Sequence, residues 1–326
     1  MASVYLGGAR IFVSVASYRD PQAPDTVRDL FAKADRPESI FAGVLSQVVK
    51  GVDDHCLVSH HPNVRQVIIP AKESRGACWA RHRIFTTLLH EEEFVLQIDS
   101  HSRFDKGWDT RLFRMFEKAN DPMAVFSTYP SSFDPYTGYF SPQTYNRFDC
   151  QTFDEKLGFP LISSGVRPAS EIPEFPELTP FVSGGCTFTT AKAVRQVPYD
   201  PYLYFLGEEI NYSIRLWTHG FNIYTPNEPF MYHYYGRSPQ RAVHWEDQAA
   251  VFAELNRVSF ARNKHLLNIE KTTDVKALSH IERFGLGRSR TLDQWQIASG
   301  INIKQRTLTD EARRGIMRKF DNRIVA

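Results

Sequence analysis

The chain has 326 residues, 39 of them Lys or Arg and 37 Asp or Glu, for a formal net charge of +2. A balance this even supplies no strong field for nucleic acid or acidic lipid, so no nucleic-acid partner is expected. With 42% apolar and 23% charged residues, the composition excludes disordered, collagenous and coiled-coil proteins. The charge is unevenly placed, however. Residues 261–326 carry 14 basic and 7 acidic side chains, a tail that reads either as solvated helical surface or as a dock for an acidic partner. No apolar run reaches the roughly 18 residues of a membrane span. Met1 to Arg10 lacks the basic and apolar regions of a secretory leader. No membrane association and a cytoplasmic location are therefore expected. Cys56, Cys78, Cys150 and Cys186 are scattered and form no CxxC, which fits reduced thiols.

The first half alternates strands and helices. Arg10 to Ser17 reads as a buried strand that ends at Ser17-Tyr18-Arg19-Asp20-Pro21. A helix follows Pro24-Asp25, with Val27, Leu30, Phe31 and Ala34 on one face. Ile40 to Val49 and Val64 to Pro70 are the next strands, and Ala77 to His90 is a helix. Phe94 to Asp99 and Met123 to Tyr129 are strands on either side of a helix that carries Leu112, Met115 and Phe116. Such alternation predicts an open, mostly parallel α/β sheet. Ser131 to Pro180, rich in Pro, Tyr, Phe and Ser, reads as long loops with a few short strands. Helix resumes from Gly207 to His219 with Gly220 as its C-cap, and Phe221 to Pro226 is a strand. Ser238-Pro239 opens a helical C-terminal third.

Five segments carry candidate chemistry. In Gln97-Ile98-Asp99-Ser100-His101 a buried strand runs into a carboxylate and an imidazole two residues apart. Both can point to one side beyond the strand's carboxyl end, where open α/β sheets bind ligands. That donor pair suits Mn²⁺, although Asp99 capping the next turn is the simpler reading of the string. Gly207-Glu208-Glu209-Ile210 places two acids in a first helical turn, which serves the helix dipole or faces a cleft. Met231 to Arg237 holds His233 and Arg237 among aromatics, and His233 alone reads as a satisfied, partly buried imidazole. Arg19, Arg75 and Arg81 are candidate phosphate donors or plain surface cations. Phe181-Val182-Ser183-Gly184-Gly185 reads as two glycines after a strand, permitting close backbone approach to a ligand or marking a bulge. Trp217 and Tyr235 are assigned to the core. The absence of P-loop, GxSxG, HExxH and GxGxxG patterns sets aside the enzyme classes that use them.

Ser14 to Asp20, Gly76 to Arg81 and Leu96 to His101, then Gly207 to Ile210, Arg215 to Gly220, His233 with Arg237, and Phe284 to Leu292 together resemble one family. It is the GlcNAc-transferase family that includes the Skp1 hydroxyproline N-acetylglucosaminyltransferases. The plan is similar, more distantly, to that of the polypeptide GalNAc-transferases, which also carry an Asp-x-His. The resemblance implies a GT-A fold: a Rossmann-like mixed α/β sheet with a helical C-terminal extension. Its catalytic domain would span residues 1–237, with the nucleotide-binding half at about 1–130 and the acceptor side at 131–237. The extension would be residues 238–326. It further implies metal ligation by Asp99, His101 and His233, with Mn²⁺ expected and Mg²⁺ admissible. Arg19, Arg75, Arg81, Asp99, Ser183, Gly184, Gly185 and Arg237 would line the donor site, and Glu208 or Glu209 would act beside the sugar.

The implied activity moves GlcNAc from UDP-GlcNAc, with retention, to a hydroxyl of a protein acceptor, either hydroxyproline or Ser/Thr. Other acceptors on the same fold, such as a glycan or a modified nucleobase, stay open. So do a non-catalytic nucleotide-sugar-binding protein and a metal-dependent phosphohydrolase. Ser131 to Pro180 aligns with no family motif, which leaves the acceptor the least constrained part.

Overall fold

In the computed structural model of the protein, residues 8–237 and 241–320 are described. The expected helix start at Ser238-Pro239 and residues 1–7 of the expected leaderless N-terminus lie outside them. The centre is an eight-stranded sheet. Its strands run in the spatial order Glu177–Leu178, Asn222–Thr225, Ala124–Ser127, Cys186–Thr190, Phe94–Asp99, Ile11–Tyr18, Ile40–Val48, Val64–Pro70. Ile11–Tyr18 lies parallel to both Ile40–Val48 and Phe94–Asp99, which builds the expected parallel half.

Alternation along Ile11–Tyr18 explains why this strand is central. Ile11, Val13 and Val15 join one core, under the helices Ala23–Lys33 and Trp108–Ala119. Phe12 points to the other face and packs with Ala80, Ile84 and Leu88 of the Ala77–Thr87 helix and its C-cap. A strand buried on both faces reads as a continuous apolar run, as this one does.

The sheet is mixed, as the resemblance implied: Cys186–Thr190 runs antiparallel to both Phe94–Asp99 and Ala124–Ser127. Two other expectations are corrected. Gly184-Gly185 precede this strand and do not follow one. Reversing its direction brings the strand's start, with Cys186 opposite Ile98, to the carboxyl end of Phe94–Asp99. The second correction concerns residues 131–180. Tyr145–Phe153 and Pro160–Arg167 form a long antiparallel hairpin in place of loops. Buried Asn146 and Arg147 interrupt the apolar alternation that would have announced it. Its inner residues Phe148, Cys150 and Phe153 pack with Ile214, Trp217 and Trp295 in a further core.

A small second sheet, in the order Ser102–Phe104, Met231–His233, Ser131–Asp134, Tyr139–Phe140, stands beyond the end of Phe94–Asp99. The C-terminal part is only partly helical: Ala249–Leu266 and Leu292–Ser299 are its longer helices, and much of 267–291 is turns. No helix among the described residues is long and apolar enough to cross a membrane.

Arg262, fully buried on Ala249–Leu266, ties this part to the sheet domain. Its Nε donates to Asp200 at 2.6 Å, and Nη1 donates to the carbonyls of Ala277 and Ser279 at 2.7 and 2.8 Å. Removing one member of a buried, hydrogen-bonded ion pair leaves the other charge uncompensated. Arg262→Ala is expected to cost about 3–5 kcal/mol in urea unfolding. Lys264→Ala, which breaks the more exposed pair with Glu270, should cost at most about 1 kcal/mol.

Candidate active site

Asp99 is the last residue of its strand, and His101 follows across a turn. The chain then enters Ser102–Phe104, which pairs antiparallel with Met231–His233 so that His233 lies opposite Ser102. The Tyr234 amide donates to the His101 carbonyl at 3.0 Å and extends that ladder. A residue 134 positions downstream thus reaches Asp99. His233 Nε2 lies 3.0 Å from Asp99 Oδ2, and the two imidazole centroids are 4.7 Å apart. One ligand atom each from Asp99, His101 and His233 falls within 4.8 Å of the others. One carboxylate oxygen and two imidazole nitrogens form a donor set that suits Mn²⁺ or a similar divalent ion.

Asp20, at the end of the neighbouring strand, orients this set. Its Oδ2 lies 2.6 Å from His101 Nδ1 and accepts from Ser100 Oγ at 2.7 Å, while Oδ1 accepts from the Gln22 amide at 2.9 Å. Burial pushes the Asp20 carboxyl up, but His101 and these donors outweigh it and hold it below the usual range. With Nδ1 engaged, His101 has Nε2 free to ligate, the arrangement by which an outer carboxylate fixes a metal-binding imidazole. Asp99 is likewise held well below the usual carboxylate range. Burial opposes this, and the His233 hydrogen bond and the charge of Arg81 overcome it.

Behind the trio sits a buried charge network. Arg81, on the Ala77–Thr87 helix, donates from Nη2 to Asp99 Oδ1 at 3.0 Å and from Nη1 to Glu208 Oε1 at 2.6 Å. The Cys78 thiol donates to Glu208 Oε2 at 2.6 Å, and burial beside that carboxylate pushes it far above its ordinary pKa. Both Glu208 oxygens are therefore engaged, and the residue is only 4% exposed. Glu209 is more accessible. Its Oε1 accepts from the Gly184 amide at 2.8 Å and its Oε2 from Tyr129 Oη at 2.5 Å. Burial, reinforced by Glu208, pushes the Glu209 carboxyl up to about 7 against those two donors.

Gly184 and Gly185 are required by space. A Cβ on Gly184 would stand 2.5 Å from Glu208 Oε1 and 2.7 Å from Arg81 Nη1, and one on Gly185 2.9 Å from Asp99 Oδ2. Any side chain there would force the charge network apart.

These groups line two adjoining chambers. One, of about 300 Å³, is walled by Asp20, Gly76, Ala77, Arg81, Asp99, His101 and His233, with Arg241 to Trp245 also lining it. The other, of about 110 Å³, holds Ser183, Gly184, Gly185, Glu208 and Glu209 and shares Arg81, Asp99, His233 and Tyr235 with the first. Three arginines read from the sequence are placed elsewhere. Arg19 is engaged by Asp53 at 2.7 Å and Asp247 at 2.6 Å. Arg75 lies on the wall of a separate cavity. Arg237 is exposed and pairs with Glu246. Trp217 is core as expected, but Tyr235 is half exposed and borders both chambers.

Sequence reasoning missed Asp20, Tyr129, Arg241 and His244. Asp20 had a usable signal, since it follows the strand parallel to and paired with Phe94–Asp99. His244 had none. It accepts from Tyr204 Oη at 2.7 Å and lies 3.2 Å from the Ser74 carbonyl, contacts made 40 and 170 residues away.

A mixed sheet with its ligand cleft at the carboxyl end of the central strands matches a GT-A glycosyltransferase, GalNAc-T7 solved with UDP, GalNAc and Mn²⁺. The TM-score is 0.57 at 13% identity, over 89% of this chain and 56% of that one. The chain thus spans about 56% of that structure's length. The fold is GT-A. Lower similarity links it to TarS of S. aureus in complex with UDP-GlcNAc, with TM-score 0.46, 14% identity, and coverage of 84% of this chain and 72% of that one. The mannosyltransferase PcManGT of Pyrobaculum calidifontis, with GDP-Man and Mn²⁺, gives TM-score 0.49 at 13% identity, covering 84% and 69%. No curated protein matches the sequence. The family pattern described as Glycosyltransferase (GlcNAc) matches residues 10–63 and 58–305, and the chain belongs to that glycosyltransferase family.

The Asp20–His101 contact gives a direct test of the trio. Asp20→Asn should weaken Mn²⁺ binding about 10–100-fold by titration calorimetry, with the far-ultraviolet spectrum unchanged.

Proposed function

We propose that the protein transfers GlcNAc from UDP-GlcNAc, with retention of anomeric configuration, to a hydroxyl of a protein acceptor, hydroxyproline or Ser/Thr. The observation that carries this reading is the convergence of Asp99, His101 and His233 on one point in the wall of the 300 Å³ chamber. That chamber opens directly onto a smaller one lined by Gly184, Gly185 and Glu209. On this reading the nucleoside diphosphate would take the larger space and its sugar the smaller. Asp99, His101 and His233 would hold a divalent ion, Mn²⁺ or Mg²⁺, which when bound supplies Lewis-acid neutralisation of the departing diphosphate.

The remaining residues divide the work. Arg81 keeps a positive charge in the dry wall between the chambers, and Glu208 with Cys78 fixes its guanidinium. Glu208 is therefore a positioning residue. Gly76 and Ala77 present the start of an 11-residue helix to the larger chamber, and its positive end favours phosphate oxygens. Glu209, the less buried of the two acids lining the smaller chamber, is the carboxyl that would face the sugar and the incoming hydroxyl. A group titrating near neutrality can both accept a hydrogen bond from a sugar hydroxyl and donate one when protonated. The glycines let the backbone lie against the donor. The domain division at residue 237 belongs to the same proposal, with the segment beyond it closing the larger chamber through Arg241 to Trp245.

The test measures UDP release from a panel of UDP- and GDP-sugars, with Mn²⁺ or EDTA, for wild type and Asp99→Ala. The reading predicts EDTA-sensitive release from UDP-GlcNAc alone, reduced about 100-fold or more in the variant. It also predicts an axial anomeric linkage, by NMR, on a hydroxyproline or Ser/Thr peptide. Release with inverted product, or transfer only to a glycan or nucleobase, would remove the corresponding part of the proposal. Phosphate release without sugar transfer would make the protein a hydrolase.

A further inference from the structure

The cavity that takes Arg75 is larger than either catalytic chamber. It encloses about 440 Å³ between the outer side of the Ala77–Thr87 helix, the Pro201–Tyr204 turn and the Ala249–Leu266 helix. That volume lies within the roughly 300–1,000 Å³ of small-molecule sites. Its apolar wall is Trp79, Tyr202, Leu203, Leu255 and Val258, and its polar groups are Arg75, His82, Glu254, Lys276 and Ser279. It shares one residue with the larger catalytic chamber, Tyr204.

The chemistry of the polar groups narrows the ligand. His82 Nδ1 lies 2.8 Å from the Tyr199 carbonyl, which can only accept, so that nitrogen carries the proton. Burial pushes the His82 pKa down, so the ring is neutral and Nε2 remains an acceptor. Glu254 is a second acceptor. Its Oε1 takes a hydrogen bond from Lys276 Nζ at 2.8 Å and its carboxylate is also paired with Arg257. Arg75 and Lys276 supply donors, and the Ser279 hydroxyl does either. A phosphate would want donors alone, and a carboxylate with an imidazole lone pair opposes it. A purely apolar ligand would make no use of the Arg75 guanidinium, the His82 lone pair or the Ser279 hydroxyl. An indole wall flanked by mixed donors and acceptors matches a molecule with an apolar C–H face and a rim of hydroxyls. Arg83 lies over the Trp79 ring, 5.5 Å from its centroid, without lining the cavity. It braces the indole from outside that space.

We propose that this cavity is a saccharide-binding site, separate from the donor site, that takes a pyranoside against Trp79. Its position gives it a route to the donor chamber. The Tyr204 ring abuts Gly76, where an added Cβ would stand 2.6 Å from it, and its hydroxyl donates to His244, which lines that chamber. A sugar seated on one side of Tyr204 therefore bears on the wall that closes over the donor on the other.

Saturation-transfer NMR with methyl glycosides of glucose, galactose and N-acetylglucosamine at millimolar concentration tests the site in the intact protein. Signals from at least one glycoside are expected to persist when UDP and Mn²⁺ are saturating. They should weaken about tenfold in apparent affinity in Trp79→Ala. Because Trp79 is half-buried, exposed Arg75→Ala and the near-isosteric His82→Phe serve as second variants, and each should also weaken binding. The two variants locate the signal whether or not UDP binds, so failure of the donor reading does not hide the result. No signal from any glycoside overturns the proposal. So does a signal unchanged in all three variants, or binding of inorganic phosphate in the cavity with no glycoside signal.

Discussion

The active site depends on where one strand stops. Phe94–Asp99 ends in a carboxylate at the edge of the sheet, and two antiparallel pairings meet there. Cys186 opposite Ile98 delivers Gly184-Gly185, and His233 opposite Ser102 delivers the third donor. Backbone ladders fix both registers, and a slip of one residue would turn each side chain to the opposite face. The metal-type trio and the close-packed glycines are thus consequences of strand register. No long flexible side chain has to be ordered to assemble them.

Electrostatics then holds the assembly in place. Arg81 is 3% exposed and stands between Asp99 and Glu208. Two carboxylates buried this close would repel and take up protons without a cation between them. The His233 hydrogen bond and the guanidinium together keep Asp99 ionised, and the guanidinium engages Glu208 as well. The pKa of Glu209 beside it is raised chiefly by its burial, with Glu208 adding to the effect. The two adjacent acids thus meet different partners because successive residues in a first helical turn point in different directions.

The sequence carried some of this and withheld the rest for physical reasons. Asp99 and His101 stood out because a buried apolar run stopped at a carboxylate with an imidazole two residues on, but only the resemblance favoured a metal pair over a turn cap. His233 was legible only through resemblance, since no spacing rule connects residues that meet by pairing across 134 positions. Asp20 was visible as part of a strand-end string, but its contact with His101 belongs to tertiary packing. The glycines were read on the wrong side of a strand because their segment begins an antiparallel strand, and an apolar run gives no direction. The hairpin of Tyr145–Phe153 and Pro160–Arg167 stayed hidden behind buried polar residues. The donor role given to Arg75 and Arg237 rested on charge and on the resemblance, and neither says which cavity a side chain lines.

The most direct test of the account is Mn²⁺ binding followed by electron paramagnetic resonance, for wild type and His233→Ala, with UDP present. The account predicts one bound ion in the wild type, whose signal changes on adding UDP, and loss of that site in the variant although Asp99 and His101 remain. An ion bound as tightly in His233→Ala as in the wild type would contradict it. The pairing of Met231–His233 with Ser102–Phe104 would then be only a feature of the fold.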